Sequence, residues 1–69
     1  MIEVFKTNIE DDFSASRILD LLNHRFPGCR INFDLQDCDK ILRIEGHNFQ
    51  TEMVRGIVER VGFDCAILD

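Results

Sequence analysis

An α+β sandwich, with four antiparallel strands in one sheet and two helices on one of its faces, is what three features of this sequence predict. Two segments of strict apolar–polar alternation flank a short polar run, which is the pattern of a hairpin. Two apolar stripes recur at helical spacing on either side of that hairpin. Short apolar strands then precede the first stripe and follow the second. The 69 residues suffice for one domain, 1–69. A domain of that size buries only ~60% of its unfolded surface, so its stability is expected to be modest.

The first strand is expected over residues 2–6, with Ile2 and Val4 on one face and Phe5 on the other. A helix begins near Asp11 or Asp12, since an N-cap carboxylate accepts a backbone N–H that has no helical partner and nearby acids favour the positive helix end. Its stripe is Ile18, Leu21, Leu22 and Phe26, preceded by Phe13. His24 and Arg25 occupy the last turn, where positive charge is favoured. "FPG" stops the helix: Pro27 cannot continue it, and Gly28 is suited to a left-handed conformation.

Ile31, Phe33 and Leu35 alternate with Asn32, Asp34 and Gln36 in a second strand. "QDCDK" is turn-forming. Leu42 and Ile44 alternate with Arg43 and Glu45 in a third. Asn48 is placed to cap a second helix whose core face is Met53, Val54, Ile57, Val58 and Val61. Gly56 inside that helix costs about 1 kcal/mol relative to Ala, which suggests a position of close packing. Gly62 ends the helix, and a last strand covers residues 63–68. The order is βαββαβ, and right-handed crossovers turn it into a ferredoxin-like sandwich.

Thirteen acids against eight Lys and Arg give a net charge of −5. No basic run is present to displace counterions from nucleic acid or to dock on an anionic membrane, so neither is an expected partner. No apolar run approaches the ~20 residues of a membrane span, and "MIEVFKTN" has no signal-peptide pattern; a cytoplasmic protein is expected. Cys29, Cys38 and Cys65 lack CxxC spacing and read as free thiols. No glycine-rich phosphate loop and no supported Ser/His/Asp arrangement is present, and the carboxylates lie in turns; neither an enzyme nor a cofactor is expected.

The chain resembles the heavy-metal-associated domain of copper chaperones and metal-pumping ATPases. The resemblance rests on "INFDLQ", a hairpin and "ILRIEG", on a first helix ending in "PG", and on the closing "VERVGFDCAIL". Ile18 and Leu22 match an Ile and a Leu of the family's first helix, and Gly62 and Phe63 its closing Gly-aromatic pair. The family's metal motif, MxCxxC, lies at the first strand–helix turn. Counting back from Ile18 sets Ile9 at the methionine and Asp11 and Ser14 at the cysteines. Cu(I) is soft and needs thiolates, whereas Asp and Ser offer hard oxygens, and the first cysteine of the chain is Cys29. The chain therefore reads as a divergent member without the motif, its acids at this turn serving as helix caps.

The topology sorts the remaining candidates to two ends. Glu10, Asp11, Asp12, Asp37, Asp39 and Asp64 collect at one, an acidic rim suited to a basic partner or a hard cation. Ordinary turn and cap chemistry accounts for the same residues. His24, Cys29 and His47 lie at the other end, a donor set for a transition metal if they meet and otherwise surface histidines with a half-buried thiol. Cys38 is expected exposed at the hairpin tip, open to an intermolecular disulfide, and Cys65 is expected as a small core or sheet-face residue and not a ligand. The uncovered sheet face, with Phe5 and Ile41 among Glu3, Asn32, Arg43 and Glu45, suits weak self-association or a protein contact. The reading reached is a non-enzymatic cytosolic protein-interaction module with a metallochaperone-like fold and no Cu(I) thiolate site. The alternative is a divergent transition-metal or hard-cation binder using other ligands.

Overall fold

The computed structural model describes residues 1–68. It consists of β1 (Ile2–Thr7), α1 (Asp12–Arg25), β2 (Arg30–Asp34), β3 (Ile41–Glu45), α2 (Thr51–Val61) and β4 (Cys65–Ile67). The strands form one antiparallel sheet in the order β2-β3-β1-β4, as the pattern predicted. Each helix carries the chain over one intervening strand, and β1 is paired on both sides.

The register decides which side chains face the helices. Phe5 lies opposite Leu42, and Leu42 opposite Phe33; Glu3 lies opposite Ile44, and Ile44 opposite Ile31. Phe5, Leu42 and Ile44 are fully buried with Ile18, Leu22, Val54 and Val58 in a single core. Phe5 is thus on the helix side, a correction to its expected place on the uncovered face. Alternation alone cannot orient a strand that is apolar on both faces, and the aromatic ring, with more area to bury, takes the inside. Glu3 shares that side, half-buried, with a carboxylate oxygen accepting from Thr51 Oγ1 at 3.3 Å. The uncovered face keeps Ile41, Asn32, Arg43 and Glu45 and gains Ile2, Val4 and Ala66.

In α1 the buried stripe is Ala15, Ile18 and Leu22, continued by Phe26. Leu21 is 43% exposed and Phe13 78% exposed. Both were expected in the core, but residues 15, 18 and 22 define the inward meridian, and each one-residue step from it rotates a side chain by ~100°. Ile9, in the turn before the helix, is fully buried, and Phe49 nearly so. The helix ends at Phe26, whose N–H donates to Leu22 O at 2.8 Å. Gly28 does not take the left-handed conformation expected of it, since Gly62 (φ 116°) is the glycine with positive φ among the described residues. Pro27 is therefore the stop.

α2 starts from Gln50, with no side-chain cap, and not from Asn48. Val54 and Val58 are fully buried, Ile57 and Val61 pack half-buried against the core, and Met53 is 36% exposed. A Cβ at Gly56 would meet nothing within 4 Å, so close packing is not its role. That role belongs to Gly46 after β3, where a Cβ would lie 2.6 Å from Cys29 Sγ and 3.2 Å from Cys29 Cα.

Leu22→Ala is expected to destabilise by about 2–5 kcal/mol in denaturant unfolding. Leu21→Ala should stay within about 0.5 kcal/mol, and equal effects would mean the helix face is wrongly assigned. Gly56→Ala should stabilise by about 0.5–1 kcal/mol, while Gly46→Ala should cost about 1–3 kcal/mol through overpacking against Cys29. Adding Cys29→Ala should return part of that loss, because it removes the sulfur and leaves the crowding against the residue 29 backbone in place.

Candidate functional site

The turn from β1 into α1 is tied down on three sides. Thr7 Oγ1 donates to Lys40 O at 2.6 Å and accepts from Ile9 N at 3.2 Å, while Thr7 N donates to Asp39 O at 3.0 Å. Asn8 Oδ1 accepts from Asp64 N at 2.8 Å, and Asn8 Nδ2 donates to Asp64 Oδ2 at 3.3 Å. These bonds join the first turn to the hairpin and to the turn before β4. The buried Ile9 anchors the segment from beneath.

Asp11 is the N-cap of α1, in extended conformation (φ −116°, ψ 150°), and its Oδ2 accepts from Ser14 N at 2.8 Å. The Ser14 backbone N–H, followed by the hydrogen bond of the Ser14 side chain, holds the Asp11 carboxyl below its ordinary pKa. A carboxyl so lowered contributes stability above its ordinary pKa and loses it as the pH falls through the lowered one.

Two more carboxylates of this end accept turn hydrogen bonds. Asp37 Oδ1 accepts from Asp39 N at 2.9 Å, and Asp34 Oδ1 from Gln36 N at 3.2 Å. The hairpin closes through Lys40, in left-handed conformation (φ 48°), whose Nζ donates to Leu35 O at 3.0 Å. Asp39 and Asp64 line one shallow cleft of ≈ 250 Å³ with Cys38 and Lys6. Asp12 lines a different one, of ≈ 460 Å³, with Phe33, Asp34 and Gln36. Glu10, Asp11, Asp12, Asp37 and Asp64 are exposed and Asp39 is half-buried.

At the opposite end Cys29 and His47 line a cleft of ≈ 360 Å³ with Arg25, Phe26 and Asn48. His24 is exposed and is not among its lining residues, because it lies about 200° around α1 from the inward-facing Leu22. Among the described residues, one group of three potential ligands has its donor atoms within 4.8 Å of one another: Asp37, Cys38 and Asp39.

The thiols sit on separate elements. Cys38 is exposed in the hairpin, Cys29 is half-buried against Gly46, and Cys65 is buried at the start of β4. Burial pushes the Cys65 thiol up to about 12, with Arg55 opposing and Glu59 reinforcing the rise. Arg55 also donates through Nε to Cys65 O at 3.1 Å and pairs with Glu52 (3.0 Å) and Glu59 (3.7 Å), clamping α2 to β4.

Sequence reasoning overlooked Asn8, which binds the turn before β4, and Ile9, Ala15 and Phe49, which complete the core. The Asn and Asp flanking each strand end carried a signal for the first, and the apolar residue just before each helix start a signal for Ile9 and Phe49. Nothing in the pattern ranked Ala15 above Leu21.

No protein-family model and no curated protein matches the chain. Among solved structures, it is similar to the yeast copper transporter domain CCC2A, determined in solution in its apo and Cu(I)-loaded states. The TM-score is 0.74, over 99% of this chain and 94% of that one, at 19% sequence identity. The two share a fold. No helix among the described residues is long and apolar enough to cross a membrane.

Thiol accessibility gives a direct check on this arrangement. A thiol-specific reagent at pH 8 should label Cys38 first, Cys29 more slowly and Cys65 only on unfolding, because a buried neutral thiol is a poor nucleophile. Rapid labelling of Cys65 in the native protein would mean that β4 is not packed as described.

Proposed function

We propose that this chain is a non-enzymatic cytosolic protein-interaction module, built on a metallochaperone-like fold whose first strand–helix turn does not hold Cu(I). The observation that carries this reading is the 2.8 Å bond from Ser14 N to Asp11 Oδ2. The positions that the heavy-metal-associated resemblance gives to two cysteines are here a helix cap and the residue it caps. A soft cation finds no thiolate at this turn, and the carboxylate is already committed to the helix end. Ile9, at the position of the family's methionine, is fully buried. The donor set therefore does not fit Cu(I).

The partner is proposed to be a protein with a basic surface. Exposed carboxylates on a chain of net charge −5 favour such a partner through long-range attraction, chiefly in the association rate. Asp11, Asp34, Asp37 and Asp64 each commit a carboxylate oxygen to cap and turn hydrogen bonds, which argues against general acid–base chemistry by these four. A second reading, a weak hard-cation site, has one observation in its favour: the mutual closeness of the Asp37, Cys38 and Asp39 donors. Against it, Asp37 Oδ1 already accepts from Asp39 N, and all three residues come from a single short turn.

Competition for metal separates the readings. Wild type is expected to lose Cu(I) to a chelator that a thiolate site withstands, and Asp11→Cys/Ser14→Cys is expected to gain measurable Cu(I) affinity. A tight one-to-one Cu(I) complex of the wild type that Asp11→Ala or Ser14→Ala weakens would overturn the proposal. Native mass spectrometry with Ca²⁺ and Zn²⁺, repeated on Asp37→Asn/Asp39→Asn, tests the second reading; retention of a metal by wild type alone would favour it.

A further inference from the structure

The outer seam between the helices differs in charge from the rest of the molecule. Arg17, Leu21 and Arg25 form one i, i+4, i+8 row along α1, and Ile57, Arg60 and Val61 form the facing edge of α2; together they line a groove of ≈ 380 Å³. Three of the chain's eight basic residues meet there, and no acid lines the groove although acids number 13 in the chain. Both ion pairs among the described residues belong to Arg55, which is elsewhere. Arg25 instead touches the Met53 sulfur (Nη2–Sδ 3.4 Å) and the Phe26 ring (5.1 Å from its centroid). The other lining residues are apolar and form the floor: exposed Leu21 with half-buried Ile57 and Val61.

We propose that this groove docks an acidic peptide segment of a partner protein, with Asp or Glu carboxylates on Arg17, Arg25 and Arg60 and one apolar side chain on Leu21, Ile57 and Val61. The assignment rests on charge complementarity. Three arginines line one groove that no acid lines and make no ion pair among the described residues, so the local potential there is positive, and planar guanidinium forks suit carboxylates. The apolar floor adds what a purely ionic contact lacks, since exposed ion pairs alone contribute little.

A short peptide meets only the local field. A nucleic-acid backbone or an anionic bilayer spans the rest of the surface, where a net charge of −5 repels it. A second copy of the chain offers its acidic rim at the turn end, so it would bind head to tail, and that contact would show as concentration-dependent self-association. This surface is separate from the acidic turn end and does not depend on the function proposed for it.

The test is selection of a random 12-residue peptide display library against the folded protein, with Arg17→Gln/Arg60→Gln as counter-target. Gln keeps the helix propensity of Arg, so the counter-target should unfold at the wild-type denaturant midpoint. Enriched peptides are expected to be rich in Asp and Glu around a Leu or Phe. Their affinity should fall about tenfold or more for the Gln variant and for Leu21→Ser, and fall again as salt rises from ~0.05 to ~0.5 M. Amide shifts on titrating the best peptide should centre on the six lining residues. The proposal is overturned if no peptide enriches, if the winners are basic, or if they bind the Gln variant equally well. It is also overturned if the arginines instead mediate a concentration-dependent dimer, seen by sedimentation, or pelleting with phosphatidylserine vesicles.

Discussion

The packing of Phe5, Leu42 and Ile44 against Ile18, Leu22, Val54 and Val58 is the interaction on which every other feature depends. A small sheet with helices on one side has a single interior, and a one-residue slip in any strand would move its apolar set out of it. The pairs Phe5–Leu42 and Leu42–Phe33 therefore pin three strands at once. With the strands pinned, the loops have no freedom to choose an end. The first strand–helix turn, the hairpin and the turn before β4 are held together, and the Thr7–Asp39 and Asn8–Asp64 hydrogen bonds complete what the core begins.

Periodicity made the elements and their order legible because each strand and helix buries a stripe with its own repeat. It was silent where two solutions have the same repeat. β1 is apolar on both faces, so only the greater burial of an aromatic ring distinguishes Phe5 inside from Phe5 outside. In α1, hydrophobicity favoured Leu21, but angular position favoured Ala15. The closely packed glycine is Gly46 and not Gly56, since a glycine's packing depends on what lies across space from it, and Cys29 is distant from Gly46 in sequence. At the turn end the Asp11 cap was readable because its bond is local. The arginine seam was not, because it joins residues from two helices that only the tertiary structure sets side by side.

The molecule consequently carries two electrostatic regions of opposite sign. Carboxylates gather at the turn end, where Asp and Asn satisfy backbone groups as the chain reverses, and arginines gather on the outer helix seam. Each region is small compared with the whole surface, so beyond a Debye length the protein acts as an anion, and the seam is felt only at close range. A neutral or mixed-charge protein meeting this domain would be sorted by orientation before it is sorted by affinity.

The central position of β1 has a kinetic consequence. β1 pairs with β3 and β4 and with neither of the segments next to it in the chain. During synthesis β1 must wait for β4 to complete its pairing, with β2 and β3 able to form their hairpin in between. Until Cys65 to Ile67 emerge, β1 keeps an open edge and part of the Phe5 surroundings is missing. The β1–β4 pairing is thus the longest loop closure in the domain, and a nascent chain stalled before β4 exposes a strand edge that chaperones or other nascent chains would find.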